Sequence, residues 1–86
     1  MEKAERKKED FVDIVQKELD LARQAYPPMN SLHEAYAVIL EEVKEFEAEV
    51  FRKPDKRQIE NILRELAQIS AMCQRTAEDC LFTKEG

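Results

Sequence analysis

Apolar residues recur at helical spacing in three stretches of the chain, and prolines separate the stretches. The first runs from about Lys3 to Tyr26, with Phe11, Ile14, Val15, Ala22 and Ala25 near one face. Pro27-Pro28 ends it, because proline lacks the amide donor and restricts the residue before it. The second begins at Ser31, which with Glu34 forms the Ser-x-x-Glu pattern of a capping box, and continues to about Arg52. Its apolar stripe is Leu32, Ala35, Tyr36, Ile39, Val43, Phe46 and Val50. Lys53-Pro54-Asp55 is a tight connection, with Asp55 suited to cap a third helix from about Lys56 to Leu81 or Phe82. That helix carries Ile59, Ile62, Leu63, Leu66, Ile69, Cys73, Ala77 and Cys80 on one side. The short link predicts that the second and third helices pack as an antiparallel hairpin. Thr83 to Gly86 reads as a frayed tail.

The expected class is therefore all-α, a three-helix subunit forming one domain over residues 1–86. A 43% apolar and 38% charged composition with one glycine suits long amphipathic helices rather than sheets. A chain of 86 residues buries a modest fraction of its surface, so its bundle is expected to be completed by oligomerisation. The net charge of −5 argues against nucleic acid, whose phosphates would be repelled. The one basic run, Arg6-Lys7-Lys8, is interleaved with Glu5, Glu9 and Asp10. The apolar runs are too short and interrupted for a membrane span, and the N-terminus lacks a signal-peptide core, so the expected location is cytoplasmic. Cys73 and Cys80 lie seven positions apart, about 10 Å along a helix axis. That is beyond disulfide reach, and they read as buried free thiols in a reducing compartment.

Candidate chemistry sits in Glu41-Glu42-Val43-Lys44-Glu45. Helical spacing makes Glu42 and Glu45 neighbours, about 5–6 Å apart at Cβ. On a helical wheel the second helix's apolar face centres near Leu32, Val43 and Val50. Glu42, Glu45 and Glu49 follow one edge of it, and Glu41 lies further round. The third helix's face centres near Leu66 and Cys73, with Glu65 on one edge and Gln68 further out. Facing antiparallel helices bring same-sense edges together, so Glu42, Glu45 and Glu65 should converge. Close carboxylates resist ionisation unless something positive lies between them. Mg²⁺ or Mn²⁺ suits such oxygen ligands. The competing reading is a solvated acidic edge paired loosely with Lys44, Lys53 or Arg64.

This arrangement resembles the MazG-like all-α nucleoside triphosphate pyrophosphohydrolases, whose motif is Glu-Glu-x-x-Glu on one helix and Glu-x-x-Asp on the next. The first half stands intact in Glu41-Glu42-Val43-Lys44-Glu45, and the second is Glu65-Leu66-Ala67-Gln68. The likeness covers roughly residues 31 to 80. It implies Mg²⁺-dependent hydrolysis of a nucleotide to its monophosphate and pyrophosphate, by a homodimer or homotetramer. Carried over by position, Glu42, Glu45, Glu65 and Gln68 would be the metal ligands. Glu41 would orient the attacking water. Gln68 stands where the family has aspartate, offering a carbonyl oxygen but no charge, and Asp79 lies about three turns on, a poor substitute. Relatives commonly carry a fourth helix and further substrate-contacting residues downstream. An alternative is thus a catalytically degenerate helical oligomer, acting as a nucleotide-binding or protein-interaction module. A plain coiled-coil adaptor is a third.

Among the remaining residues, Lys53, Lys56 and Arg57 could meet a triphosphate tail, although surface solvation explains them too. His33 has no second histidine to build a metal pair. Tyr26, Tyr36 and Phe46 could stack on a nucleobase or serve as packing, the commoner role of aromatics at helical spacing.

Overall fold

The computed structural model describes residues 8–52 and 59–82. Helix α1 spans Lys8–Ala25, α2 spans Leu32–Val50, and α3 spans Ile59–Thr76. A π-helical turn, Ala77–Leu81, extends α3. Among the described residues there is no strand. The expected start of the first helix before Lys8, the Lys53-Pro54-Asp55 link with its Asp55 cap, and Thr83 to Gly86 lie outside the described residues.

The boundaries have local causes. The Tyr26 amide closes the last turn of α1 onto the Ala22 carbonyl before Pro27 stops the helix. Ser31 caps α2, its Oγ accepting the Glu34 amide at 3.1 Å. Glu34 reaches back one residue beyond the usual box and accepts the Asn30 amide at 2.7 Å. At the other end Phe51 donates to Glu47.

Helix α3 is the centre of the subunit: α1 and α2 both pack along it, with little contact between the two. Ala35 meets the Ala71 and Met72 level of α3, while Glu45 acts on Glu65, so α2 and α3 run antiparallel as expected. Glu18 meets Gln68 and Arg23 meets Glu78, so α1 runs parallel to α3. The core at the crossing is built on small residues. Ala35, Ala67 and Ala71 are essentially solvent-free, joined by Leu19, Met29 and Met72. Alanine lets helices approach closely, and long side chains from α1 and the link fill the remaining space.

Two expectations change here. The buried side of α2 centres on Ala35, with Glu49 also buried, while Leu32, Tyr36 and Val43 are exposed. The covered face is thus turned by about one residue step of 100° from the expected centre. The most buried positions of α3 are likewise Ala67, Ala71, Met72 and Arg75, and Cys73 is exposed rather than buried. Cys80 is half-buried against the core cluster.

Candidate metal and ligand site

The turned face of α2 brings its carboxylates further inward than an edge position. Glu42 follows Ala35 by seven residues and lies under the same cover. Glu42 and Glu45 from α2 meet Glu65 from α3, and one carboxylate oxygen from each lies within 4.8 Å of the others. Of these, Glu42 and Glu65 are half-buried and Glu45 is exposed. Burial, then the charges of Glu45, Glu65 and Glu41, push the Glu42 carboxyl up to about 7. Glu65 is raised by burial and by Glu45, with Arg64 opposing. Helix geometry places Glu49 one turn beyond Glu45. It is 8% exposed, its Oε1 meets Arg52 Nη1 at 3.2 Å, and its buried Oε2 has no hydrogen-bond partner.

Gln68 sits beside this cluster, one turn along α3 from Glu65. Its amide lies between Glu18 on α1 and the carboxylates of α2 and α3. In one orientation Nε2 donates to Glu18 Oε1 at 3.3 Å. Turned by half a rotation, the same amide donates to Glu42 Oε1 at 3.0 Å and Glu65 Oε1 at 3.3 Å. Glu18 escaped sequence reasoning: Lys17-Glu18-Leu19-Asp20 carries no motif, and only the parallel docking of α1 brings it here.

A cavity of about 470 Å³ extends from this point between α1 and α2, with α3 beneath. That volume falls in the range of small-molecule sites. Glu18, Glu41, Glu42 and Gln68 line it at the acidic level, and Ala22, Val38 and Met72 follow. Tyr26, Pro27, Met29 and Arg75 line the far level. Arg75 is 4% exposed there, with the guanidinium donating to the Pro27 carbonyl at 2.8 Å and lying 5.9 Å from the Tyr26 ring centroid. Tyr26 therefore borders the cavity, whereas Tyr36 points away into solvent and Phe46 is half-buried.

Asp79 is committed elsewhere. It accepts the Met29 amide at 2.9 Å and pairs with Arg23 at 3.1 Å and Arg75 at 4.0 Å. It belongs to a clasp joining the link, α1 and the π-helical turn, and not to the carboxylate cluster. His33 is exposed. Lys53, Lys56 and Arg57 lie outside the described residues.

Carboxylate oxygens from Glu42, Glu45 and Glu65 within 4.8 Å of one another form a group that could hold a metal ion. Arg52 pairs with Glu49 and Arg64 opposes the charge at Glu65, while Glu49 Oε2 is buried without a hydrogen-bond partner. No helix among the described residues is long and apolar enough to cross a membrane. Comparison with known family models, curated proteins and solved structures gave no match.

Proposed function

We propose that the chain is a Mg²⁺-dependent nucleoside triphosphate pyrophosphohydrolase of the MazG-like group. It would take an NTP or dNTP to the monophosphate and pyrophosphate. One observation carries the reading: Glu42, Glu45 and Glu65, from two helices, bring carboxylate oxygens within 4.8 Å of one another beside a cavity. Like charges so close favour a divalent cation between them. Glu42, Glu45 and Glu65 would hold the ion, with the Gln68 carbonyl as a neutral fourth donor. When bound, such an ion lowers the pKa of its water and offsets charge gathering on phosphate oxygens. Glu41 lines the cavity next to Glu42 and is the residue to orient that water. The apolar wall formed by Ala22, Val38 and Met72 suits a nucleoside.

A homodimer or homotetramer completes this reading. Leu32, Tyr36, Leu40, Val43 and Phe51 form an uncovered apolar flank of α2, a surface that a further copy would bury.

The test is pyrophosphate release from a panel of nucleoside triphosphates with Mg²⁺. Wild type should release it and Glu42→Gln should not. Absence of release across the panel, with Glu42→Gln indistinguishable from wild type, sinks the reading. The amide of Gln68 supports one competitor, a nucleotide-binding module without catalysis, because its donors to Glu42 and Glu65 can stand in for the cation. That competitor predicts thermal stabilisation by nucleotide that does not depend on Mg²⁺, with no pyrophosphate release.

A further inference from the structure

We propose that the level of the cavity remote from the carboxylates is a ligand subsite, where Arg75 and Tyr26 take a planar, uncharged ring carrying a carbonyl oxygen beside a ring nitrogen. No ion enters this inference. It goes beyond the pyrophosphohydrolase reading and concerns the opposite end of the cavity.

Arg75 is 4% exposed and lines the cavity together with Tyr26, Pro27 and Met72. Its acceptors fall short of its donors. Nη2 donates to the Pro27 carbonyl at 2.8 Å, a normal hydrogen bond. Nη1 donates to the Met72 thioether at 3.6 Å, and thioether sulfur is a weak acceptor. Nε is buried without a hydrogen-bond partner, and Asp79 Oδ2 stands 4.0 Å from it. A guanidinium carries more N–H groups than these contacts satisfy. Buried donors left unpaired are costly, and native structures rarely keep one without a use. The two groups that receive the Nη donors belong to residues of the cavity wall, so this end of the guanidinium is turned toward the cavity. Methionine repacks readily, and a ligand oxygen can replace its sulfur at Nη1.

Charge selects the kind of acceptor. The described lining holds four glutamates, Glu18, Glu34, Glu41 and Glu42, against one arginine, Arg75. Asp79 faces the same guanidinium. A free carboxylate or phosphate would enter a field of its own sign, whereas a neutral acceptor meets no such repulsion. Shape selects further. The guanidinium is a flat fork that matches two neighbouring acceptors in one plane. Tyr26 lies beside it, with 5.9 Å from guanidinium carbon to ring centroid, and is 64% exposed, which leaves ring surface for a flat ligand to stack on. A 6-oxopurine, with O6 and N7 side by side, presents this acceptor pair, the one arginine reads on guanine in duplex DNA. Adenine presents a donor in place of O6.

The experiment titrates guanosine, inosine and adenosine into the full chain by calorimetry, in chelator. None of the three carries a phosphate. Wild type should bind guanosine and inosine alike, and adenosine about tenfold or more weakly. Arg75→Lys keeps the charge and loses the fork, so guanosine should fall to the level of adenosine. Melting curves check the fold of this buried variant. Tyr26→Ala changes an exposed position and should weaken guanosine by about fivefold or more. The ligand comparison on wild type depends on no variant at all. Guanosine no tighter than adenosine on wild type overturns the subsite, as does a preference that survives in folded Arg75→Lys or unchanged guanosine affinity in Tyr26→Ala. Guanosine preference without pyrophosphate release from any triphosphate keeps the subsite and ends the hydrolase reading. Pyrophosphate release without that preference ends the subsite alone.

Discussion

Asp79 accepts the backbone amide of Met29 across fifty positions of sequence, at 2.9 Å, and so fixes the link between α1 and α2 to the end of α3. The π-helical turn over Ala77–Leu81 sets this relationship up, and a single wide turn is a common way to redirect one side chain at a helix end. Arg23 and Arg75 complete the clasp from α1 and α3. Arg75 is 4% exposed, and Asp79 is the carboxylate that faces its guanidinium, at 4.0 Å. Removing one partner of a buried pair costs about 3–5 kcal/mol, because the other charge stays behind uncompensated. Asp79→Ala is expected to lose stability of this order in urea unfolding. Asp79→Asn, which still accepts from Met29, should lose less. A loss under about 0.5 kcal/mol in Asp79→Ala would place the clasp among ordinary surface contacts.

The pH dependence of the metal-free protein has two opposing limbs. Burial first, then Glu45 and Glu65, raise Glu42 to about 7, and Glu65 moves the same way. The folded state therefore holds protons that the unfolded chain releases near 4.5, and stability falls as pH rises through the window from 4.5 to about 7. Asp79 runs the other way. Burial works to raise it, but the Met29 amide and the two arginines outweigh burial and hold it below 3.8. Its contribution is present above that value and is lost as pH falls through the depressed pKa. The melting temperature in chelator should therefore peak near pH 4.5 and decline toward neutrality. Glu42→Gln should flatten the decline. A curve that rises between about pH 5 and 7 would contradict this sign.

Close helix approach at Ala35 and Ala71 gives a third expectation. Both are solvent-free and share one cluster with Leu19, Met29 and Met72. A larger side chain at Ala71 has no free volume to enter. Overpacking of this kind costs about 1–3 kcal/mol, and Ala71→Leu is expected at the upper end. Calorimetric melting decides it. An unchanged transition would mean that the alanine contact is looser than the burial indicates.

The sequence reading found the three helices, the cap at Ser31 and the antiparallel pairing of α2 with α3, because periodicity and prolines are local signals. It also found Glu42, Glu45 and Glu65 together, since same-sense edges of an antiparallel pair must meet. It misplaced the covered faces. Bulky residues at Leu32, Tyr36, Val43 and Cys73 draw the expected face toward themselves, whereas the subunit buries Ala35, Ala67 and Ala71. A helical wheel weights size and hydropathy, and it carries no information on which of two apolar arcs a neighbouring helix covers. Glu18 and the Asp79 clasp were illegible for another reason. Both depend on α1 docking parallel to α3, a contact between segments about fifty residues apart with no pattern in common.

The uncovered arc of α2 leads to the last expectation. Tyr36 is 68% exposed and Phe51 80%, with Leu32, Leu40 and Val43 on the same flank. Helix positions put this flank on one side of the covered face and Glu41 and Glu45 on the other, with Glu42 under the cover. A second copy could therefore cover it without blocking the cavity. Burying apolar surface at about 25 cal/mol per Å² would make each large side chain there worth on the order of 1.5–3 kcal/mol. A lysine placed in such a contact would bury a charge without a partner. Tyr36→Lys is therefore expected to shift the protein toward monomer in sedimentation or light scattering, while its helical circular dichroism persists. Ala48→Lys, an exposed change of equal charge on the same helix but outside this stripe, serves as the control and should keep the wild-type mass. A wild type that sediments as a monomer at all concentrations, or a Tyr36→Lys variant that keeps the oligomer intact, would remove α2 as the completing interface.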